Sequence, residues 1–175
     1  MTTSEDSKRT LKARALALAR EPVKTLAEPM LEVVEFRLAN EHYAIETAFL
    51  REVLPLKELT PIPCTPAFMG GVINVRGQLL AVIDLKKFFD LPETGLHDLH
   101  RVLIIQSVDM ELGLLADAVV GHRALALSRL QPGLPTLTGI RAEYLKGVTS
   151  ERLVVLDAGK ILNDPRIVVQ EEVVT

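Results

Sequence analysis

Phe68-Met69-Gly70-Gly71-Val72, then a loop, the apolar run Leu79-Leu80-Ala81-Val82-Ile83, Asp84 and a short Leu/Lys/Phe segment decide the fold, because the chain writes them twice. Tyr144-Leu145-Lys146-Gly147-Val148 is likewise followed by a loop, then Leu153-Val154-Val155-Leu156, Asp157 and Lys160-Ile161-Leu162. Upstream, Tyr43-Ala44-Ile45 before Phe49-Leu50 echoes Leu112-Gly113-Leu114 before Val119-Val120. Self-similarity at this long period points to two related half-domains rather than a solenoid, whose units are shorter and more numerous. Two small pseudo-symmetric units pressed together leave a seam, the kind of place where partners and ligands bind. The repeat therefore points to a binding module.

Composition narrows the class. The 175 residues fit one domain, or two small ones sharing a core, and a hydrophobic fraction of 48% is enough to fill it. Net charge is -3, with 20 Lys and Arg, so no basic surplus indicates nucleic acid. Aromatics are 4% and Trp is absent, which argues against base-stacking or carbohydrate platforms. Cys64 is the single cysteine, so no internal disulfide forms and a reducing, cytoplasmic setting fits best. Leu16-Ala17-Leu18-Ala19 is too short for a signal segment and is closed off by Arg14 and Arg20. No run approaches the roughly 20 apolar residues of a membrane span, so membrane insertion is not expected.

Residues 1–7 are polar and read as disordered. Residues 8–21 read as a helix with Leu11, Ala15 and Leu18 on one stripe, ending before Pro22. Its basic residues raise an interfacial or partner-binding role, but the narrow, partly Ala stripe favours a solvated arm or a helix lying against its own domain. From Met30 onward the chain reads as short strands. Pro55 demotes residues 50–56 to an edge strand or a strand end. Arg76-Gly77 reads as a tight hairpin tip that uses Gly for positive φ. Asp84 and Asp157 sit at equivalent strand-to-helix junctions and read as helix caps. Many short strands with few long helices indicate two small barrels or a sandwich. The repeat divides the chain into an arm (1–29), a first barrel (30–91), a second barrel (92–165) and a C-terminal strand or tail (166–175).

Catalytic chemistry is missing from this pattern. His97 and His100 are three apart, a ligand-compatible spacing on a helix, but no nearby Cys or third His completes a metal site. His42 and His122 read as ordinary strand or turn residues. Cys64 lies between prolines, with no sign of the base and orienting group that a nucleophile needs. Gly70-Gly71 lacks the further glycines and the Lys-Ser/Thr of a phosphate loop. No catalytic residue, cofactor or metal is expected.

Thr65-Pro66-Ala67-Phe68-Met69-Gly70-Gly71-Val72-Ile73-Asn74-Val75-Arg76-Gly77, followed by Leu80-Ala81-Val82-Ile83-Asp84-Leu85, strongly resembles the chemotaxis coupling protein (CheW) family. Tyr43-Ala44-Ile45-Glu46, Gly113-Leu114-Leu115-Ala116-Asp117-Ala118-Val119 and Tyr144-Leu145-Lys146-Gly147-Val148 resemble it too, in the same order and spacing, from about residue 33 to about residue 163. The resemblance implies a mainly β fold of two pseudo-symmetric five-stranded SH3-like barrels packed around a shared core. It implies a non-catalytic adaptor that couples methyl-accepting chemoreceptor tips to the regulatory domain of a CheA-type histidine kinase, with other coupling proteins as further candidate partners. It also implies that Arg76, with Leu50 and Glu52 on the facing strand, lies near the receptor-binding groove. The arm over residues 1–29 exceeds the family's compact form. The alternative reading is a small-molecule sensor holding a ligand between the two barrels, although the convergent charged or aromatic groups of a polar pocket are scarce.

Overall fold

A computed structural model describes residues 3–18, 27–93, 100–133 and 140–167. Helix α1 (Thr3–Leu18) comes first. It starts at Thr3, earlier than the apolar stripe predicts. Its residues 7–15 are exposed, and the expected stop at Pro22 lies outside the described residues.

The first half then supplies β1 (Met30–Leu38), β2 (Glu41–Glu46), a 3-10 turn (Thr47–Phe49), β3 (Leu50–Pro55), β4 (Met69–Val75), β5 (Gln78–Asp84) and α2 (Leu85–Phe88). The second supplies β6 (Arg101–Gln106), β7 (Glu111–Ala116), β8 (Ala118–Ala126), α3 (Ile140–Glu143), β9 (Leu145–Val148), β10 (Val154–Leu156) and α4 (Ala158–Leu162). The expected mainly β architecture of two five-stranded sheets is what forms, in the orders β8-β1-β2-β10-β9 (barrel A) and β3-β6-β7-β5-β4 (barrel B).

Neither sheet follows the division at residues 91 and 92 that the repeat implied. Barrel A takes β1 and β2 from the first half and β8, β9 and β10 from the second; barrel B takes the converse set. The repeat is real, but its two copies are interlocked. β1 lies antiparallel to β8 as β6 does to β3, and β2 lies parallel to β10 as β7 does to β5. Residues 168–175, most of the expected C-terminal strand or tail, lie outside the described residues, while Ile167 is buried.

Each barrel is closed by the same device. The strand that opens the sheet runs on, and its continuation bridges to the far edge strand: Thr60 to Val72 in barrel B, Gln131 to Val148 in barrel A. Both bridges follow a glycine, where the chain passes too close for a side chain. A Cβ on Gly71 would lie 2.2 Å from the Thr60 carbonyl oxygen, and one on Gly147 would lie 3.0 Å from Leu130 Cβ.

The apolar residues fall into three layers. Val33, Ala44, Leu125, Leu153 and Val155 fill barrel A. Ile73, Leu80, Val82, Val102, Ile104 and Leu115 fill barrel B. Between the barrels lies a larger shared core that includes Phe36, Tyr43, Ile83, Leu103, Ile105 and Tyr144. Central strands such as β6 are thus covered on both faces, which is why they read as unbroken apolar runs rather than alternations. Aromatic rings stitch the halves together there, with Phe88 of α2 5.2 Å from Tyr144 between ring centroids. The two aspartates cap as expected. Asp84 Oδ1 accepts from the Lys86 and Lys87 amides and Asp157 Oδ1 from the Lys160 amide.

Candidate functional site

The β4–β5 hairpin positions the first candidate. Val75 pairs with Gln78, and Arg76 (φ 53°) and Gly77 (φ 86°) form the two-residue turn between them. Positive φ at both central positions is the geometry whose twist suits a hairpin. The Asn74 side-chain oxygen accepts from the Gly77 amide at 2.8 Å and braces the tip. From that tip Arg76 reaches across the barrel opening to β3. Its Nη1 and Nη2 donate to Glu52 Oε1 and Oε2, both at 2.9 Å, a forked pair that fixes orientation as well as distance.

Sequence reasoning placed Leu50, Glu52 and Arg76 together; in the structure Glu52 and Arg76 meet directly, whereas Leu50 packs half-buried against the shared core. A register shift between Leu50 and Glu52 in the β3–β6 pairing re-aims the strand at this point. Arg51, exposed between them, hydrogen-bonds Glu111 at the start of β7 and comes within 3.9 Å of Glu52. That Glu111 contact holds Arg51 above its ordinary pKa. Alternating charges therefore run from Arg76 through Glu52 and Arg51 to Glu111. The Arg51–Glu111 link spans two chain segments and left no signature in the sequence.

Beside this ladder a groove of about 400 Å³ opens between the end of β3 and β4. Leu54, Ile73, Val75 and Val102 line it, and Arg76 stands at its rim. In barrel A the corresponding mouth is crossed by a pair of opposite order: Arg123 of β8 binds Glu151 of the β9–β10 turn at 3.0 Å and also reaches Glu35 at 3.3 Å. The Glu151 hydrogen bond holds the Arg123 pKa above its ordinary value. Leu130 packs over Gly147 there, its Cβ 3.0 Å from where a glycine Cβ would stand.

A second polar cluster, missed by the sequence reading, lies where β7 passes into β8. Lys86 Nζ donates to Asp117 Oδ1 at 2.7 Å, with both side chains nearly buried. Asp117 Oδ2 accepts from the Ala39 amide at 2.7 Å, and His100 Nε2 is 3.5 Å from Oδ1. An apolar run interrupted by Asp117 was its one visible trace. His97 lies outside the described residues, and His100 faces this ion pair. Cys64 is free and exposed. Where the second half ends, Arg166 hydrogen-bonds Asp164, Glu143 and Tyr144. Burial pushes the Asp164 carboxyl up, but the Arg166 hydrogen bonds and charge outweigh it and leave its pKa lowered.

Comparison with known proteins agrees with the fold of two five-stranded sheets. The CheW-like domain family matches residues 32–166. The chemotaxis protein CheW of Treponema pallidum is 30% identical over 147 residues, covering 80% of this chain and 86% of that protein. Protein FrzA of Myxococcus xanthus is 32% identical over 146 residues, covering 80% and 90%. The crystal structure of the scaffolding protein TtCheW from Thermoanaerobacter tengcongensis superposes with a TM-score of 0.66 at 30% identity, covering 73% of this chain and 89% of that one.

Proposed function

The chain belongs to the CheW-like domain family, and from that premise we propose that it joins a methyl-accepting chemoreceptor tip to the regulatory domain of a CheA-type histidine kinase. As a member of that family it is a non-catalytic chemotaxis coupling adaptor. The observation that carries the receptor assignment is the Arg76–Glu52 fork at the rim of the groove. An exposed, oriented charge pair next to apolar lining suits recognition. The apolar lining supplies affinity, and rim charges set approach and register. Leu50 supports the surface from behind, through its packing on the shared core. Among the described residues no helix is long and apolar enough to cross a membrane, and with a free, exposed Cys64 the proposed setting is the reducing cytoplasm.

A ligand held between the barrels has less support, because Phe36, Tyr43, Ile83 and Tyr144 fill that space. The decisive experiment is co-precipitation with receptor-tip and kinase regulatory-domain fragments. Arg76→Glu sets a carboxylate against Glu52 and is expected to weaken receptor capture at least tenfold. The melting temperature should shift by only a few degrees, since exposed pairs contribute about 1 kcal/mol or less. A folded Arg76→Glu variant that captures receptor normally removes Arg76 from the site.

A further inference from the structure

We propose that a second copy of this chain is itself a partner, and that two copies associate by exchanging halves. Within either half, the strands pair only as hairpins: β1 with β2 and β4 with β5 in the first, β6 with β7 and β9 with β10 in the second. Every other ladder crosses between halves, namely β1 with β8, β2 with β10, β3 with β6 and β5 with β7. The buried Lys86–Asp117 pair crosses too, as does the Phe88–Tyr144 contact. A half on its own therefore has no closed barrel. It presents open strand edges and an uncovered face carrying Val34, Phe36, Tyr43 and Ile83, all buried in the shared core.

What fits that face is the complementary half, and any copy of the chain carries one. The halves of one chain are connected only through residues 92–99. In a dimer of exchanged halves, each lobe combines residues 27–91 of one copy with residues 100–167 of the other, and every strand pairing described above is retained. The contacts are identical in the two arrangements, so the outcome depends on concentration. Being on the same chain raises the effective concentration of a half's own partner, which favours the monomer when dilute. At high concentration during folding, exchange competes, as in domain swapping generally. Once formed, the exchanged dimer persists on dilution, because separation requires all four crossing ladders to break in each of the two lobes.

Two full-length variants test this. Val34→Asp buries a charge in the first half, and Leu114→Asp buries one in the second; both positions lie in the shared core. Refolded separately, each loses the cooperative transition. Should either retain one, a second buried aspartate in the same half (Ile45→Asp or Ile105→Asp) removes it. Refolded together, they form one lobe from two undamaged halves and one from two damaged halves. About half of the native strand signal then returns, in a particle of twice the monomer mass. The unsubstituted chain, refolded at high concentration, gives a dimer that survives dilution. Monomer at every concentration overturns the proposal. So does a dimer whose two variants fail to rescue one another, which would be association through outer surfaces.

Discussion

The chain passes from one barrel to the other at two places within its halves, and opposite chemistry fills them. Between β2 and β3, the ring of Phe49 lies against Gly159, 3.6 Å from where a Cβ would stand. Between β7 and β8, Asp117 turns inward and meets Lys86 at 2.7 Å. The positions correspond: Gly159 stands two residues after the capping Asp157, as Lys86 stands two after the capping Asp84. One copy of the unit thus solves its crossover with an aromatic ring over a glycine, the other with a buried ion pair. Burying two charges gains little net stability over apolar packing, but removing one of them strands the other. The lesson is that the two crossovers have similar geometry and unequal fragility.

Asp117→Ala is expected to show the largest effect. It leaves the Lys86 ammonium buried without its carboxylate and the Ala39 amide without an acceptor, at a cost of about 3–5 kcal/mol. For a chain of this size that lowers the melting temperature on the order of 10 °C. The double variant Lys86→Met with Asp117→Leu recovers most of that loss, because neither charge remains to be buried. A double variant as unstable as Asp117→Ala alone would show that the asymmetry between the crossovers does not arise from charge.

The barrel closures sharpen the same comparison. Gly71 adopts φ +139°, and its missing Cβ faces the Thr60 carbonyl at 2.2 Å; Gly147 faces Leu130 at 3.0 Å. Gly71→Ala therefore combines backbone strain with a clash against rigid main chain, at about 3 kcal/mol. Gly147→Ala meets the Leu130 Cβ at 3.0 Å and the Gln131 carbonyl oxygen at 3.3 Å, looser contacts at a position without positive φ, and costs about 1 kcal/mol. Denaturant melts of the two variants measure the difference, and equal losses would refute the account.

The smallest effect concerns the ends of the two units. Asp164 binds Arg166, whereas the equivalent position after α2 is Leu91. The folded-state pKa of Asp164 is lowered, so its stabilisation is present above the unfolded value near 3.9 and is lost as pH falls through the folded value. Asp164→Asn removes this part of the acid sensitivity. Thermal melts of variant and parent should differ modestly above about pH 4 and converge as the pH falls from there through the folded value. Parallel pH profiles would assign the acid dependence elsewhere.

Much of this was legible in local pattern. The capping role of Asp84 and Asp157, the hairpin tip at Arg76-Gly77 and the edge position of the strand ending at Pro55 all follow from rules that act over a few residues. The candidate site was half legible. Arg76 and Glu52 were placed together through family resemblance, but Arg51–Glu111 and Lys86–Asp117 join residues 60 and 31 positions apart. No short-range rule connects such residues, because their meeting depends on which strands become neighbours.

The sequence alone determined the repeated unit: its strands, its turns, its caps and the apolar mass that fills a core. Only the tertiary structure decided that the units interlock, so that β1 and β2 close the barrel of β8, β9 and β10 instead of joining β3, β4 and β5. The physical reason is that strand edges carry no address. Every backbone amide offers much the same hydrogen bond, and pairing within or between copies satisfies it equally well. The choice falls to what the side chains bury once the sheets form. Here Phe36, Tyr43, Ile83, Leu103 and Tyr144, from both halves, complete one core together.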